Sequence, residues 1–262
     1  MKLVYYFTVL VLCGVTITLT KDATVISIVT GIVSSILFII LDSILVNVRN
    51  PKIWWLSLRY ANTRIRLSLS YLFRIKVDGQ YLRVRGSRFR NQFQPVGGVF
   101  KRLPNSSAFF NSIEALDDDF IPIDRTSKDD LRLRIKGRYL IKFLNWFNSG
   151  QDREVCPWRE FYEELIEPGF LPGNLFPYIF YRHIKRCETP LRYSEPAQSL
   201  ELLVAEIYEV VLTPEQEESL KQMLTRQSDE YIWVDEDRIR RRGAVPRNKL
   251  DINISAHSAW IL

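Results

Sequence analysis

One acidic stretch, residues 158–165, constrains the fold of this chain more than any other segment. Pro157 suits the first turn of a helix because its φ is already helical, and Pro168-Gly169 ends that helix. Three apolar side chains share one stripe of it: Trp158, Phe161 and Leu165. Four carboxylates share a second stripe: Glu160, Glu163, Glu164 and Glu167. Like charges on one face repel, so this spacing is typical of a solvated face or of a site where a divalent cation gathers the oxygens.

The order of these residues is more specific than their spacing. Residues 159–164 read Arg-Glu-Phe-Tyr-Glu-Glu, which resembles the core of the Nudix box. The pair Gly97-Gly98, followed by Val99-Phe100, resembles the glycines that precede that box. Three positions depart from the pattern: the usual upstream glutamate falls on Gln151, the upstream glycine on Asn145 and the glycine after the box on Ile166. A long insertion also separates the glycine pair from the box.

The N-terminus carries two apolar runs that are each long enough to cross a bilayer as a helix. We expect residues 1–48 to form two transmembrane helices, at about 3–19 and 25–47, followed by a basic juxtamembrane linker at 49–64. Asp42 is the one charged residue inside the second run. A cleaved signal peptide followed by a core helix is the alternative interpretation. Because positive residues follow the second run, both termini are expected to face the cytoplasm.

Charge is unevenly distributed over a chain whose formal net charge is +6. Residues 49–102 are strongly basic, whereas the remainder is net acidic. Anionic lipid would attract the first part of that block. Four arginines belong instead to a predicted hairpin that turns at Asp78-Gly79: Arg83, Arg85, Arg88 and Arg90. Arginine suits bidentate phosphate contacts, so these side chains predict either nucleotide binding or a solvated strand face.

The scarce residues exclude several kinds of site. Cys13, Cys156 and Cys187 are widely spaced, which indicates neither a disulfide framework nor a zinc site. Two histidines are too few for a His-rich metal centre. Residues 103–128 read as a loop with a short helix near 108–116, and its acidic triplet 117–119 reads as solvated.

Hydrophobic periodicity and turn signals predict the remaining elements. Strands are predicted at 68–77, 81–85, 131–135, 178–184, 200–212 and 231–235, and helices at 139–150, 213–226 and 252–262. Thr213-Pro214-Glu215-Gln216 is a capping box. Either Glu206 or Glu209 is a candidate for an acid that joins the site from outside the box.

Two N-terminal spans followed by a divergent Nudix domain resemble the SMODS-associated Nudix family. The resemblance implies an α+β fold, in which a two-helix transmembrane hairpin precedes a Nudix-like α/β/α sandwich with a mixed sheet. The Nudix domain would occupy 65–262, with a long insert at about 103–150. The resemblance also implies a multi-pass protein of the bacterial inner membrane that is functionally linked to a CD-NTase.

Two functions follow from that resemblance. In the first, the protein is an effector of cyclic-oligonucleotide-based antiphage defence (CBASS): Arg83, Arg85, Gly97 and Gly98 bind a cyclic oligonucleotide. Its hairpin would oligomerise, contact membrane lipid and perturb the bilayer, causing abortive infection. In the second, a tethered Nudix hydrolase cleaves nucleoside diphosphate-linked substrates. Its Mg²⁺ would be held by Glu160, Glu163 and Glu164, and Arg159 would orient them; the sequence does not decide whether this box is catalytic.

Overall fold

The computed structural model describes residues 2–47, 51–86, 91–120, 122–125, 127–245, 249–250 and 252–262. The chain divides into two compact units, Met1–Leu58 and Arg59–Leu262. The helices of the first unit are α1 Lys2–Leu19, α2 Ala23–Asn47 and α3 Pro51–Arg59, the last ending one residue into the second unit. Asp22 starts α2, since its carboxylate accepts from the N–H groups of Thr24 and Val25 at 2.8 and 3.3 Å. The two predicted N-terminal helices are therefore present, and α1 packs against α2.

Their predicted role in a membrane is not supported. Among the residues that the structure describes, no helix combines the length and the apolarity needed to cross a membrane. A span needs about 20 predominantly apolar residues, whereas α1 has 18 and α2 carries internal hydroxyls such as Thr30 and Ser35. The predicted transmembrane hairpin is therefore wrong, and so is the prediction of a multi-pass inner-membrane protein with both termini in the cytoplasm.

The second unit is built on strands. They are β1 Arg64–Arg74, β2 Lys76–Val77, β3 Gln80–Arg85, β4 Phe93–Gln94, β5 Gly97–Val99, β6 Leu116–Asp117, β7 Arg132–Lys136, β8 Phe180–Glu188, β9 Arg192–Ser194, β10 Ser199–Val211, β11 Tyr231–Val234, β12 Ala244–Val245 and β13 Lys249–Leu250. The helices are α4 Ser107–Ser112, α5 Leu140–Ser149, α6 Trp158–Phe161, α7 Pro214–Leu224 and α8 Glu236–Arg240. Shorter turns are the 3₁₀ helices Pro104–Ser106, Gly137–Tyr139 and Ala256–Ile261 and the π-helix Tyr162–Ile166.

Seven of the described strands form one sheet, which is mixed as predicted. Its order is β6-β7-β1-β10-β8, with β5 beside β1 and β9 beside β10. The central pair β1 and β10 is parallel, and the other pairs are antiparallel. A second sheet runs β11-β3-β2 with β4 beside β3, and β12 pairs with β13. This mixed α/β architecture fits the predicted Nudix-like domain.

The two faces of the large sheet bury different layers. On one face Phe73 meets Phe161 at a centroid distance of 5.6 Å, and Phe100 meets Phe147 at 5.3 Å, so α5 and α6 cover it. Leu72 points the other way because side chains alternate along a strand. It packs in a core with residues of the small sheet, α8 and the C-terminal 3₁₀ helix: Tyr81, Val234, Ile239, Ile254 and Ile261. The box helix and the small sheet thus lie on opposite faces.

Most local predictions hold, and two fail for tertiary reasons. Asp78 and Gly79 both have positive φ, 47° and 81°, as the predicted hairpin turn requires. The predicted strand 68–77 is interrupted at Ile75, and its halves join different sheets. The acidic triplet is not fully solvated, because Asp118 is buried between Arg66 and Arg134 at 2.7 and 2.9 Å.

The Arg83 side chain is buried in this second core. It has no exposed surface, and its guanidinium contacts the carbonyls of Leu82 and Ser258, at 2.7 and 3.5 Å, and the Tyr81 ring. Loss of solvation lowers the pKa of Arg83 to about 9. Within the described residues no carboxylate pairs with it. Arg83 is therefore a charge that costs stability rather than one that supplies it.

We expect Arg83→Met to raise the free energy of unfolding by about 1–3 kcal/mol, because an apolar side chain replaces an unpaired buried charge. The matched variant is Arg66→Met, since the Arg66 guanidinium is also buried but pairs with Asp118 and Glu201. That variant removes the Arg66 partner of Glu201 and leaves buried Asp118 with Arg134 alone, so it should lower the free energy of unfolding by at most about 3–5 kcal/mol. Urea unfolding of both variants measures the two signs; a loss of stability in Arg83→Met contradicts the assignment.

Candidate functional site

The glutamate helix, residues 158–166, is one continuous element with an unusual second half. It begins as α6 after Pro157 and continues as the π-helix Tyr162–Ile166. The Glu167 N–H donates to the Tyr162 carbonyl five residues back, at 2.9 Å. Such π-turns are rare and frequently mark functional sites. Here the π-turn carries Glu163 and Glu164, while Phe161 and Leu165 are fully buried beneath them.

The Arg159 guanidinium is the centre of the site. Its Nε donates to Glu154 Oε1 at 3.0 Å, and its Nη1 donates to Glu160 Oε1 at 2.7 Å and to Glu163 Oε2 at 3.1 Å. Nη2 donates to the carbonyl of Val99 at 3.0 Å and to Glu154 Oε2 at 3.2 Å. One cation therefore joins three carboxylates to the strand end that follows the glycine pair.

Glu154 is the functional residue that sequence reasoning missed. The expected upstream acid position falls on Gln151, which is exposed. In the structure Glu154, three residues later, holds Arg159 through both oxygens. It also accepts from the Lys101 N–H at 3.1 Å and from the Tyr71 hydroxyl at 3.4 Å. The sequence does place an acid close to the expected position 151. Only the conformation of the loop shows that this acid, Glu154, faces the helix.

The glycine pair is required by close approach to the glutamates. A Cβ on Gly98 would lie 2.0 Å from Glu160 Oε1, so only glycine fits against that carboxylate. Gly97 has φ +141°, and a Cβ there would meet the Tyr71 carbonyl at 2.2 Å. Its N–H donates to Glu164 Oε2 at 2.8 Å. The structure thus brings together the glycines and glutamates that the sequence predicts to share a site.

Two of the carboxylates are held in a poorly solvated place. Burial raises the pKa of Glu164 well above its ordinary value, and the neighbouring charge of Glu160 raises it further. Burial also raises the pKa of Glu160, although Arg159 opposes that shift. Asp130 adds negative charge near Glu160, and loss of solvation raises its own pKa. Glu163 is more open, with 39% of its side chain exposed.

Comparison with known protein families identifies the family of this chain. The family model described as the SMODS-associated NUDIX domain matches residues 64–262. The chain belongs to this family. No curated protein and no solved structure matches it significantly. The family predicted from two N-terminal spans followed by a divergent Nudix domain is therefore confirmed, although the spans themselves are not supported.

NUDIX domains generally use a divalent metal, and the box glutamates are the candidate ligands in this SMODS-associated NUDIX domain. Glutamate oxygens are the ligands Mg²⁺ prefers. Within the described part of the chain, however, no three acidic, histidine or cysteine side chains are grouped so that they could hold a metal ion. Arg159 engages Glu160 and Glu163, and Glu164 is engaged by the Gly97 N–H. The residues do not fit Mg²⁺ in this conformation, and the predicted metal site stays a prediction.

The two described members of the predicted arginine cluster, Arg83 and Arg85, have no contact with the box glutamates. Arg83 lies in the core on the opposite face of the large sheet, with no surface that a ligand can reach in this conformation. Arg85 is partly exposed; its Nε donates to the Asp229 carbonyl at 2.6 Å, and its guanidinium lies 4.9 Å from the Phe93 ring centroid. Arg88 and Arg90 fall outside the described residues. Ligand binding by Arg83 and Arg85 remains a prediction.

The two acids proposed to join the domain's site from β10 have different surroundings. Glu206 is 8% exposed and lies on the box face of the sheet, where His183 Nε2 contacts its Oε2 at 2.7 Å. Arg186 Nε donates to its Oε1 at 2.8 Å. Glu209 lies on the other face and pairs with Arg182 and Arg74. Of these two acids, Glu206 shares the face of the box.

A cavity of about 610 Å³ lies beyond the C-terminal end of the glutamate helix, between the loop that follows it and α7. Its walls include Phe170, Leu175, Glu215, Glu218 and Arg226, and none of the box glutamates. Two acids against one arginine disfavour a phosphate there. The cavity is therefore separate from the chemistry of the box.

The variant Gly98→Ala should lower the free energy of unfolding by about 1–3 kcal/mol, because its Cβ overlaps a carboxylate that Arg159 holds in place. In a Glu160→Ala background the same substitution meets no carboxylate and should cost much less. A double-mutant cycle from urea unfolding measures this coupling. Equal costs in the two backgrounds would show that the clash with Glu160 is not what selects glycine.

The variant Glu164→Gln should change how stability depends on pH. A carboxyl whose folded-state pKa is raised contributes stability that is complete below its ordinary pKa of 4.5 and is lost as pH rises toward the folded value. Glutamine cannot ionise and does not lose this contribution. The free energy of unfolding of the variant, relative to that of the wild type, should therefore rise between pH 5 and pH 8.

Urea unfolding at the two pH values measures this gain. Glu163→Gln is the comparison, because it removes an ion pair with Arg159 and should lower stability by up to about 1 kcal/mol. Parallel pH profiles for Glu164→Gln and the wild type would contradict the burial argument.

Proposed function

We propose that this SMODS-associated NUDIX domain is a nucleotide-binding sensor whose box is a structural ion-pair network. The observation that carries the proposal is the Arg159 hub, which engages Glu154, Glu160 and Glu163 at 2.7–3.2 Å. One oxygen of Glu160 and one of Glu163 are engaged by the guanidinium, which leaves fewer oxygens to gather a metal ion. The box then fixes the glycine pair and the strand end beside it instead of polarising a phosphoryl group.

The family supports a proposal for the class of ligand. Its name associates the domain with SMODS, which the sequence resemblance links to CD-NTases that make cyclic oligonucleotides. We therefore propose a cyclic oligonucleotide as the ligand and CBASS antiviral signalling as the setting. Ligand binding, rather than turnover, would be the event that changes the protein. Arg153 and Arg186, whose guanidinium groups both lie against the Phe147 ring, supply positive charge for an anionic ligand.

The box retains features that favour a second function, Mg²⁺-dependent hydrolysis of nucleoside diphosphate-linked substrates. Glu160 and Glu164 lie against the glycine pair and are crowded by like charge, which a cation would relieve. This function requires Arg159 to release Glu160 and Glu163 when metal binds. It therefore predicts a Mg²⁺-dependent change in this network that the sensor function does not need.

Titration calorimetry of the full chain with cyclic di-AMP, cyclic di-GMP, cyclic GMP-AMP and cyclic triadenylate, with Mg²⁺ or with EDTA, separates the two. The sensor function predicts a micromolar or tighter dissociation constant, about −8 kcal/mol, for one of them. Binding should survive EDTA, and anion-exchange chromatography should show no product. Metal-dependent turnover of a dinucleotide that Glu163→Gln abolishes, without a tight cyclic ligand, would overturn the sensor function in favour of the hydrolase.

A further inference from the structure

Strand β8 forms an exposed edge of the large sheet, and its side chains meet those of β10 on the box face. The register pairs Val210 with Tyr181, Tyr208 with His183 and Glu206 with Arg186, and it shifts by one residue between Ile207 and Tyr208. The shift leaves Ile184 as a bulged residue. Without that bulge, His183 and Arg186 would point to opposite faces, because side chains alternate along a strand.

The bulge therefore gathers a group of side chains that we name the β8 platform: Tyr181, His183, Arg186 and Tyr208. The Tyr181 and His183 rings each lie 5.4 Å from the Tyr208 ring, edge to face. Tyr181 is 38% exposed, and 49% of the His183 side chain is exposed. Three aromatic rings thus form one continuous surface that is open to solvent at its outer edge.

Positive charge exceeds negative charge around these rings. Glu206 is the acid that His183 and Arg186 share. A second guanidinium, Arg153, lies 4.1 Å from the Phe147 ring centroid, and Arg186 lies 5.6 Å from the same centroid. Loss of solvation lowers the pKa of Arg153, and the nearby positive charge of Arg186 also lowers it. Two arginines facing one buried carboxylate favour an anionic ligand.

The platform adjoins the box. The Tyr181 hydroxyl lies 3.8 Å from the Cys156 sulfur, at the start of the glutamate helix. Arg153 precedes Glu154, which holds Arg159. The Tyr208 ring is 6.4 Å from Phe73, which in turn packs on Phe161 of that helix. A ligand on the platform would therefore lie against the same end of the site as the Arg159 network.

A second copy of the chain is a poor occupant for this edge. Residues 182–186 read Arg-His-Ile-Lys-Arg, with four basic side chains and no acid. Antiparallel pairing of β8 with its own copy would place basic residues opposite one another, which destabilises a sheet. The same composition attracts phosphate, and aromatic rings accept nucleobases by stacking.

We infer that the β8 platform is the surface on which the nucleobase of an anionic nucleotide stacks, with Arg186 and Arg153 next to its phosphate. This inference rests on the proposed nucleotide-binding function and locates it. Any nucleobase can stack on the ring faces, because every base has a π-face. The arginines favour a ligand that also carries a phosphate. Neither feature needs a metal ion or turnover, in keeping with a sensor.

Titration calorimetry of full-chain variants with whichever of the four cyclic nucleotides binds the wild type tests the inference. Tyr181→Leu and His183→Leu should each weaken binding about 5- to 150-fold, the loss of one stacked base. Tyr181→Phe keeps the ring and should bind within about 2-fold of the wild type. Phe180→Leu is the matched control, because Phe180 is an exposed aromatic on the same strand that points to the opposite face.

A 2-aminopurine analogue of the bound nucleotide gives a second readout, because stacking on the rings quenches its fluorescence. Quenching that is lost in Tyr181→Leu and retained in Phe180→Leu supports the platform, provided that circular dichroism shows equal melting temperatures. Unchanged affinity in Tyr181→Leu and His183→Leu overturns the platform and leaves the nucleotide sensor standing. No binding of any of the four nucleotides to the wild type overturns both.

Discussion

The Arg159 guanidinium is the interaction on which the rest of the site depends. It is one cation among three carboxylates from two segments, and it also caps the carbonyl of Val99. Because Glu160 is held this way, the backbone opposite has no room for a side chain and must be Gly98. Because Glu164 is buried behind it, the Gly97 N–H becomes its hydrogen-bond partner. The box and the glycine pair are therefore a single structural unit.

The two faces of the large sheet have different chemical characters. One face carries the Arg159 network and, through the bulge at Ile184, the exposed rings and arginines of β8. The other face buries a core in which Arg83 is enclosed, and no acid among the described residues pairs with it. Sequence proximity between Arg83 and the glycine pair is therefore misleading. The chain crosses from one sheet to the other at Ile75, and the sheet itself separates the arginine from the box.

The chain belongs to the SMODS-associated NUDIX family, and its box is an ion-paired site beside the glycine pair. The residues that classify the chain, Arg159 and its glutamates, support the architecture of that site. The residues suited to contact a nucleotide lie beside them on β8 and β10, where no motif marks them. Catalysis by the box would require the network to rearrange.

The sequence by itself determined the elements whose causes are local. The Asp78-Gly79 turn, the Gly150 cap of α5, the Thr213 capping box and the two N-terminal helices all follow from neighbouring residues. It also determined the family, since the order of charges in the glutamate helix and the glycine pair is specific.

Tertiary structure alone decided which residues meet. It chose Glu154 over Gln151 as the partner of Arg159, buried Asp118 and Arg83, and used a bulge to place His183 beside Arg186. Burial and register depend on contacts between distant segments, and neither local spacing nor charge pattern contains them.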